Sequence, residues 1–468
     1  MLRSLWLVGL YLAFLGLGAA APFVMTLGYV WVDTFRPQEV AWFILNQLPV
    51  SLIMGSGAFA SYFLLDRRSP PPLTLLSILQ VTLAIWMTTT LLWAEVPSAW
   101  NKWDFAFKSV VFAAFVPLVI RSRVQIEAFI TIWVFSLAAN FIPFGVKTLI
   151  SGGGYGQNLG LQGGNGGLAE GGQLSTFCLM AVPLLLFLGK HGQLLPRLPM
   201  IKVAYAGAAI LGIVTALGTR ERSAIVGLVA LGFFMFLRSR RKFLYVVLAS
   251  ALTIAVVGKM VVSLEDSRSI ANYSTDDSAL VRLGVWQWTL GYVSTHPLGG
   301  SFDAFNINAF VLPDGTEEHG RAWHSIYFEM LGELGWPGLI LFLTVIASTY
   351  FSLLRLSRKY RKLPEFAWVA DMSDAILSGL AAYLTAGAFV GIAFQPPFWY
   401  FVSMAICLRA YVTRAERSEP RGWRVTAQSR QEAIATGASA WREAPVMLGK
   451  ESLRAPGWRD RIRPRGEA

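Results

Sequence analysis

Twelve apolar runs take up most of this 468-residue chain, at 4–32, 42–65, 73–94, 106–120, 124–147, 173–189, 203–218, 223–237, 243–262, 337–354, 375–394 and 398–412. Most are near the ~20 residues that carry a helix across ~30 Å of hydrocarbon. Water would not accommodate so much apolar side chain: 54% of residues are hydrophobic and 15% charged, where globular chains carry about 25% charge. The mean hydropathy of +0.51 agrees. The expected fold is an all-α polytopic membrane protein with about twelve transmembrane helices. Soluble nucleotide-binding folds, disulfide scaffolds and disordered chains are excluded as overall classes. Cys178 and Cys407 lie inside apolar runs and imply no disulfide framework. The run 4–32 is long for one helix and is interrupted by Gly18 and by Ala19 to Pro22. A signal peptide ending near Ala21 and a short re-entrant pair are the alternatives there.

Basic residues between the runs give the orientation. Five alternate loops hold sixteen Lys and Arg: Arg67 and Arg68; Arg121 and Arg123; Lys190, Arg197 and Lys202; Arg238, Arg240, Arg241 and Lys242; and Arg355, Arg358, Lys359, Arg361 and Lys362. The other set holds six, namely Arg36, Lys102, Lys108, Lys147, Arg220 and Arg222. Short loops rich in Lys and Arg stay in the cytoplasm, so this alternation puts both termini inside. The net charge of +12 therefore reflects membrane orientation and does not call for nucleic acid as a partner. The lipid bilayer is the partner it implies.

The spans belong to a transmembrane domain over residues 1–412, from which two outer pieces project. Residues 151–172 form a loop with eleven glycines, and 263–336 form a 74-residue loop, the only one large enough to fold over a site. Residues 413–468 form a basic cytoplasmic tail with twelve Arg and Lys against seven Asp and Glu. One amphipathic helix is expected near 428–443, in a tail otherwise solvated and poorly ordered.

Charges at the membrane edge on the outer side need a reason, because burying them is costly. The tight turn Gly218-Thr219-Arg220-Glu221-Arg222-Ser223 sets two arginines there. They can grip an anion, and phosphate suits the planar guanidinium fork; pairing with Glu221 and lipid headgroups is the alternative. The large loop carries Arg282-Leu283-Gly284-Val285-Trp286, then His296-Pro297-Leu298-Gly299-Gly300, then Glu317, Glu318 and His319. Its third cluster runs from Arg321 through His324-Ser325-Ile326-Tyr327-Phe328-Glu329 to Leu331-Gly332-Glu333-Leu334-Gly335-Trp336-Pro337-Gly338. On a helix, His324, Tyr327 and Phe328 would share a face, with membrane entry near Pro337. His324 is the one of the four histidines expected to act as a base near neutral pH. Glu329 and Glu333 are read as caps or helix-surface charges, with orientation of His324 as the alternative. No Cys/His cluster has zinc spacing, no phosphate-cradling glycine motif is present, and no Asp-x-Asp pair stands ready for a metal.

The order of these motifs resembles the O-antigen ligase and O-antigen polymerase superfamily. The tight Arg turn, "R-L-x-x-W", "H-P-L-G-G" and "H-S-I-Y-F-E-x-L-G-E-L-G-W-P-G-L" carry the likeness, best over about 150–345. The branch it most resembles is that of the O-glycosylation ligases found beside exosortase systems. The resemblance implies transfer of a glycan from a polyprenyl diphosphate carrier to an acceptor hydroxyl, on a protein or a lipid, at the periplasmic face of a bacterial inner membrane. It implies neither nucleotide-sugar nor metal, and no cofactor. By position, Arg222 matches the arginine of the family's Ser-Arg-Gly turn, Arg282 the arginine opening the long loop, and His324 the family's histidine. The turn here reads Glu221-Arg222-Ser223 with Arg220 before it, so either arginine could meet the diphosphate. Arg321, Tyr327 and Glu329 stand as supporting residues.

Three other readings remain open. One is a polymerase of the same superfamily, whose acceptor is another carrier-linked repeat. Another is a metal-dependent membrane glycosyltransferase using Asp33 and Glu39. The last is a polysaccharide transporter, which the scarcity of mid-span charge and the lack of an inverted repeat disfavour.

Overall fold

The computed structural model describes residues 2–41, 44–71, 73–151, 170–238 and 277–418. The chain divides into two units, 1–412 and 413–468; of the second, only 413–418 at the end of the last helix is described. Most of the Gly-rich loop, the apolar run 243–262, residues 263–276 and the expected helix at 428–443 lie outside the described residues.

In chain order the helices are α1 (Leu2–Ala20), α2 (Pro22–Phe35), α3 (Pro37–Val40), α4 (Ile44–Gln47), α5 (Val50–Leu65), α6 (Leu75–Thr90), α7 (Ala99–Val119), α8 (Arg123–Ile150), α9 (Gly171–His191), α10 (Pro199–Gly218), α11 (Arg222–Arg238), α12 (Asp277–Thr295), α13 (Ile326–Tyr360), α14 (Ala367–Ala386) and α15 (Pro396–Ser418). One small antiparallel hairpin, β1 (Ala309–Val311) and β2 (Glu317–His319), precedes α13. Among the described residues, seven helical stretches are long and apolar enough to cross a membrane: Arg3–Ala20, Leu75–Trp93, Arg123–Ile150, Gly171–His191, Pro199–Gly218, Ile326–Tyr360 and Pro364–Phe389. The protein is a multi-pass helical membrane protein. Helices α2, α5, α7, α11 and α15 coincide with further apolar runs but fall short of that standard in length or hydropathy.

The run 4–32 is two helices, not one. Ala21 is extended (φ −141°, ψ 100°) and Pro22 opens a new helix at its first turn, where the missing N–H costs nothing. Arg3 Nη2 donates to Val40 O at 2.7 Å, so α1 and α2 fold back as a hairpin. The N-terminus then lies at the same end of the bundle as Arg36, whose guanidinium sits 5.4 Å from the Phe105 ring. In α15, Tyr400 donates to Asp33 (2.6 Å) and Tyr411 packs on Trp368. The run 375–394 is also displaced: α14 ends at Ala386, a 3-10 turn over Gly387–Phe389 follows, and residues 390–395 run without helix to Pro396, where α15 opens.

Helix α9 is the axis of the bundle, with almost every side chain buried against α8, α10, α11 and α14. Its small residues allow close helix approach, and Ser175 and Thr176 satisfy their hydroxyls on Gly172 O. Outward-facing Phe63, Leu92, Val203, Val229, Ile340 and Phe351 are exposed, as a lipid-facing surface requires. At one end, loops interlock through charge. Asp371 accepts from Lys190 (2.5 Å) and His191 (2.6 Å), and Asp374 pairs with Arg238 and with Arg361 (2.6 Å). Glu127 caps Leu194 N (2.7 Å), and Arg121 reaches Ser69 O (2.7 Å).

Candidate active site

The opposite end carries the sequence motifs. Helix α13 is broken at Gly335, whose backbone (φ 65°, ψ −168°) is open to glycine alone. The break lets "H-P-L-G-G" lie directly on "G-E-L-G-W". Gly300 N donates to Gly332 O (2.9 Å), Ser301 N to Glu333 O (2.8 Å) and Trp336 N to Pro297 O (3.0 Å). A Cβ on Gly335 would stand 2.3 Å from Leu298 C, and one on Gly299 2.4 Å from Gly335 N. Two indoles complete the clasp: Trp86 Nε1 donates to Leu334 O and Trp93 Nε1 to Gly299 O, both at 2.9 Å. These glycines are therefore explained by backbone contact, and the helix that carries Glu329 and Glu333 is a short piece, 326–334.

His324 does not lie on that helix. The N-cap is Ser325, whose hydroxyl accepts from Tyr327 N (3.3 Å), and His324 precedes it in the left-handed region (φ 45°). The expected shared helical face with Tyr327 and Phe328 is corrected: Tyr327 donates to Leu384 O (3.1 Å) and Phe328 stacks flat on Trp286 (5.0 Å). What surrounds His324 is charge. Burial holds its imidazole below the ordinary histidine value; Glu170 and Glu329 push it back up, while Arg282 and Arg321 push it further down. The neutral form is thus favoured near pH 7, as a general base requires.

Arg282 is held by α12. One turn on, Trp286 Nε1 donates to Trp323 O (3.0 Å), and Val285, Trp323 and Ala304 form a small core of their own. "R-L-x-x-W" thus docks its helix onto the His324 segment. Arg282 Nε is buried and meets no hydrogen-bond partner among the described residues. Arg321 is exposed and engages Glu318 (2.5 Å), with its backbone N held by Asn308 Oδ1 (3.0 Å). In β2, Glu317 stands 3.9 Å from His319.

The arginine turn lies beside the start of α9. Arg220 adopts a left-handed backbone (φ 55°) and is exposed, and half-buried Arg222 opens α11. Glu221 Oε1 would lie 3.3 Å from a Cβ on Gly171, the residue after Glu170. The turn therefore borders the same carboxylate that acts on His324. The charges of Arg282, Arg321 and Glu329 all act on His324, while the turn that holds Arg220 and Arg222 meets the chain at Gly171.

Glu329 and Glu333 are not surface charges. Lys102 Nζ lies 2.6 Å from Glu333 Oε1, 3.0 Å from Glu329 Oε1 and 3.9 Å from Asp303 Oδ1. Glu333 is wholly buried and also accepts from Trp323 Nε1 (3.1 Å); Glu329 Oε2 accepts from Ala393 N (2.9 Å). Sequence reasoning missed Lys102, yet a signal was there: it is one of the six cations in the loop set expected outside, the same oddity that singled out Arg220 and Arg222. The carboxylates of the metal-dependent alternative serve elsewhere. Asp33 accepts from Tyr400 Oη (2.6 Å) and Glu39 pairs with Arg36 (3.1 Å).

Two family comparisons match different parts of the chain. Residues 2–193 match a family of unknown function (DUF5935), and residues 207–343, which hold the arginine turn, Arg282 and His324, match the O-Antigen ligase family. No curated protein matches the chain. The match over 207–343, together with the motifs whose geometry is described above, supports a relationship of that segment to the O-antigen ligase superfamily.

Proposed function

We propose that this protein moves a glycan from a polyprenyl diphosphate carrier to an acceptor hydroxyl, on a protein or a lipid, at the outer face of a bacterial inner membrane. The observation that carries the reading is His324: a half-buried imidazole that burial holds toward its neutral form, under the opposing charges of Glu170, Arg282, Glu329 and Arg321. In the transfer, the acceptor oxygen attacks the anomeric carbon and its proton passes to His324. The bond from that carbon to the diphosphate oxygen breaks, and both its electrons leave with the diphosphate. Negative charge grows on phosphate oxygens, where Arg282 and the Arg220–Arg222 turn can receive it, each charge-assisted contact contributing ~1.5–3 kcal/mol. Diphosphate is already a good leaving group, so no carboxylic acid need protonate it, and arginine supplies the charge a metal would. The basic end of the bundle then faces the cytoplasm.

The test is an in vitro transfer assay with purified protein, carrier-linked glycan and candidate acceptors in EDTA. Wild type should transfer, and His324→Ala should lose at least ~100-fold while staying monodisperse in detergent. The product mass names the acceptor and separates ligase from polymerase. A requirement for divalent metal, or full activity without the imidazole, would sink the reading.

A further inference from the structure

One corner of the bundle, residues 86–102 between α6 and α7, reaches the His324 site with four side chains. Trp86 and Trp93 bond Leu334 O and Gly299 O, Ser98 donates to Asp303 Oδ2 (2.6 Å), and Lys102 lies among Asp303, Glu329 and Glu333. All four belong to the region that matches a family of unknown function, and every partner belongs to the O-antigen ligase segment. We propose that this corner is part of the transfer site and that Lys102 is a positioning residue, acting on His324 through Glu329 and Glu333. The proposal rests on the reading of His324 as the base.

The argument is one of charge and reach. Glu329 and Glu333 stand four residues apart on one helical face, where like charges repel, and both are buried. A buried carboxylate is kept charged only by a counter-ion or by donors. Ala393 N occupies one oxygen of Glu329, and Lys102 Nζ the other. Trp323 Nε1 and Lys102 Nζ share Glu333 Oε1, while Glu333 Oε2 has no hydrogen-bond partner among the described residues. Lys102 is thus the cation that touches both glutamates and offsets the repulsion between them. Glu329 is one of two anions that bear on His324, against Arg282 and Arg321. Fixing Glu329 fixes both the field at the imidazole and the helix start that follows it. A hydrophobic contact could join α7 to α13 as firmly; it could not carry this charge.

The experiment has a catalytic arm and a spectroscopic arm. Lys102→Met should lower kcat by up to ~100-fold, the scale of a small misplacement at a reacting group, with KM little changed. Lys102→Arg should recover most of the rate. Lys102→Met combined with Glu333→Gln should be more active than Lys102→Met alone, because the stranded charge has gone. In the second arm, the chain's four histidines are isotope-labelled and titrated by NMR in detergent. Glu329→Gln should lower the His324 midpoint by removing an anion that supports the protonated ring. Lys102→Met should lower it as well, since the glutamate pair without its counter-ion cannot hold both charges. A monodisperse Lys102→Met with wild-type kcat, losses that simply multiply in the double variant, or a His324 midpoint unmoved by either change would each overturn the proposal. The failure of the base assignment is visible separately, as full activity of His324→Ala, and the titration arm still reads the effect of Lys102 in that case.

Discussion

The two ends of the bundle treat charge in opposite ways. Away from His324, carboxylates are outnumbered: Asp371 meets Lys190 and His191, and Asp374 meets Arg238 and Arg361. At the His324 end a single ammonium serves Glu333, Glu329 and Asp303. The first arrangement is a brace. Asp371 is 36% exposed, and partly exposed pairs contribute ~0–1 kcal/mol. The second is buried and short of cations, so removing its one positive group strands charge in a low dielectric, at ~3–5 kcal/mol. Among the described residues, this imbalance stands on the helix that starts next to His324, where the charge of Glu329 acts on the imidazole.

Substitutions at the two ends should separate brace from site, and the largest effect is expected at Gly335. Gly335→Ala places a Cβ 2.3 Å from Leu298 C on a backbone (φ 65°) that only glycine adopts. Loss of monodisperse protein, or a sharply lowered melting temperature in detergent, is expected from strain and overlap of at least ~3 kcal/mol. A variant melting with wild type would show that the clasp can loosen. Next comes Arg282→Ala, with kcat/KM down ~10–100-fold. Arg282→Lys should fall between, since lysine keeps the charge and loses the fork; equal loss in both would argue that shape alone matters. A smaller effect is expected from pH. The base is needed neutral, and burial pushes His324 below 6.5. The rate should therefore fall on the acid side with its midpoint below 6.5, and a midpoint above that value would remove His324 from the role. The smallest effect belongs to the brace: Asp371→Asn should leave transfer unchanged and shift stability by ~1 kcal/mol or less.

The sequence offers the candidate residues and hides their wiring. The runs of apolar residues name the helices because period and length are local properties, and the motif order points to His324 and Arg282. Lys102 sits more than 200 positions from Glu333, and no local pattern links a lysine at one helix start to a glutamate before a distant break. The break itself was half visible. "G-W-P-G" announces an interruption, but Pro337 draws the eye, while the bend falls at Gly335, whose need for a positive φ arises only when "H-P-L-G-G" lies against it. His324 shows the same limit. Helical spacing put it on a face with Tyr327, and the Ser325 cap, a one-residue matter, moved it off the helix. The hairpin of α1 and α2 depends on Ala21 and on a bond from Arg3 to Val40, which hydropathy cannot register.

The glycine clasp has a consequence for anyone exchanging parts between relatives. The 296–301 strip and the 332–336 break are joined backbone to backbone, and indoles from Trp86 and Trp93 hold both from the other side. A chimera cut between the outer loop and α13 would separate the halves of one interlocked fitting, even if every helix boundary were respected. The smallest transplantable cassette is therefore discontinuous: the loop, the first turns of α13 and the two tryptophans would have to travel together.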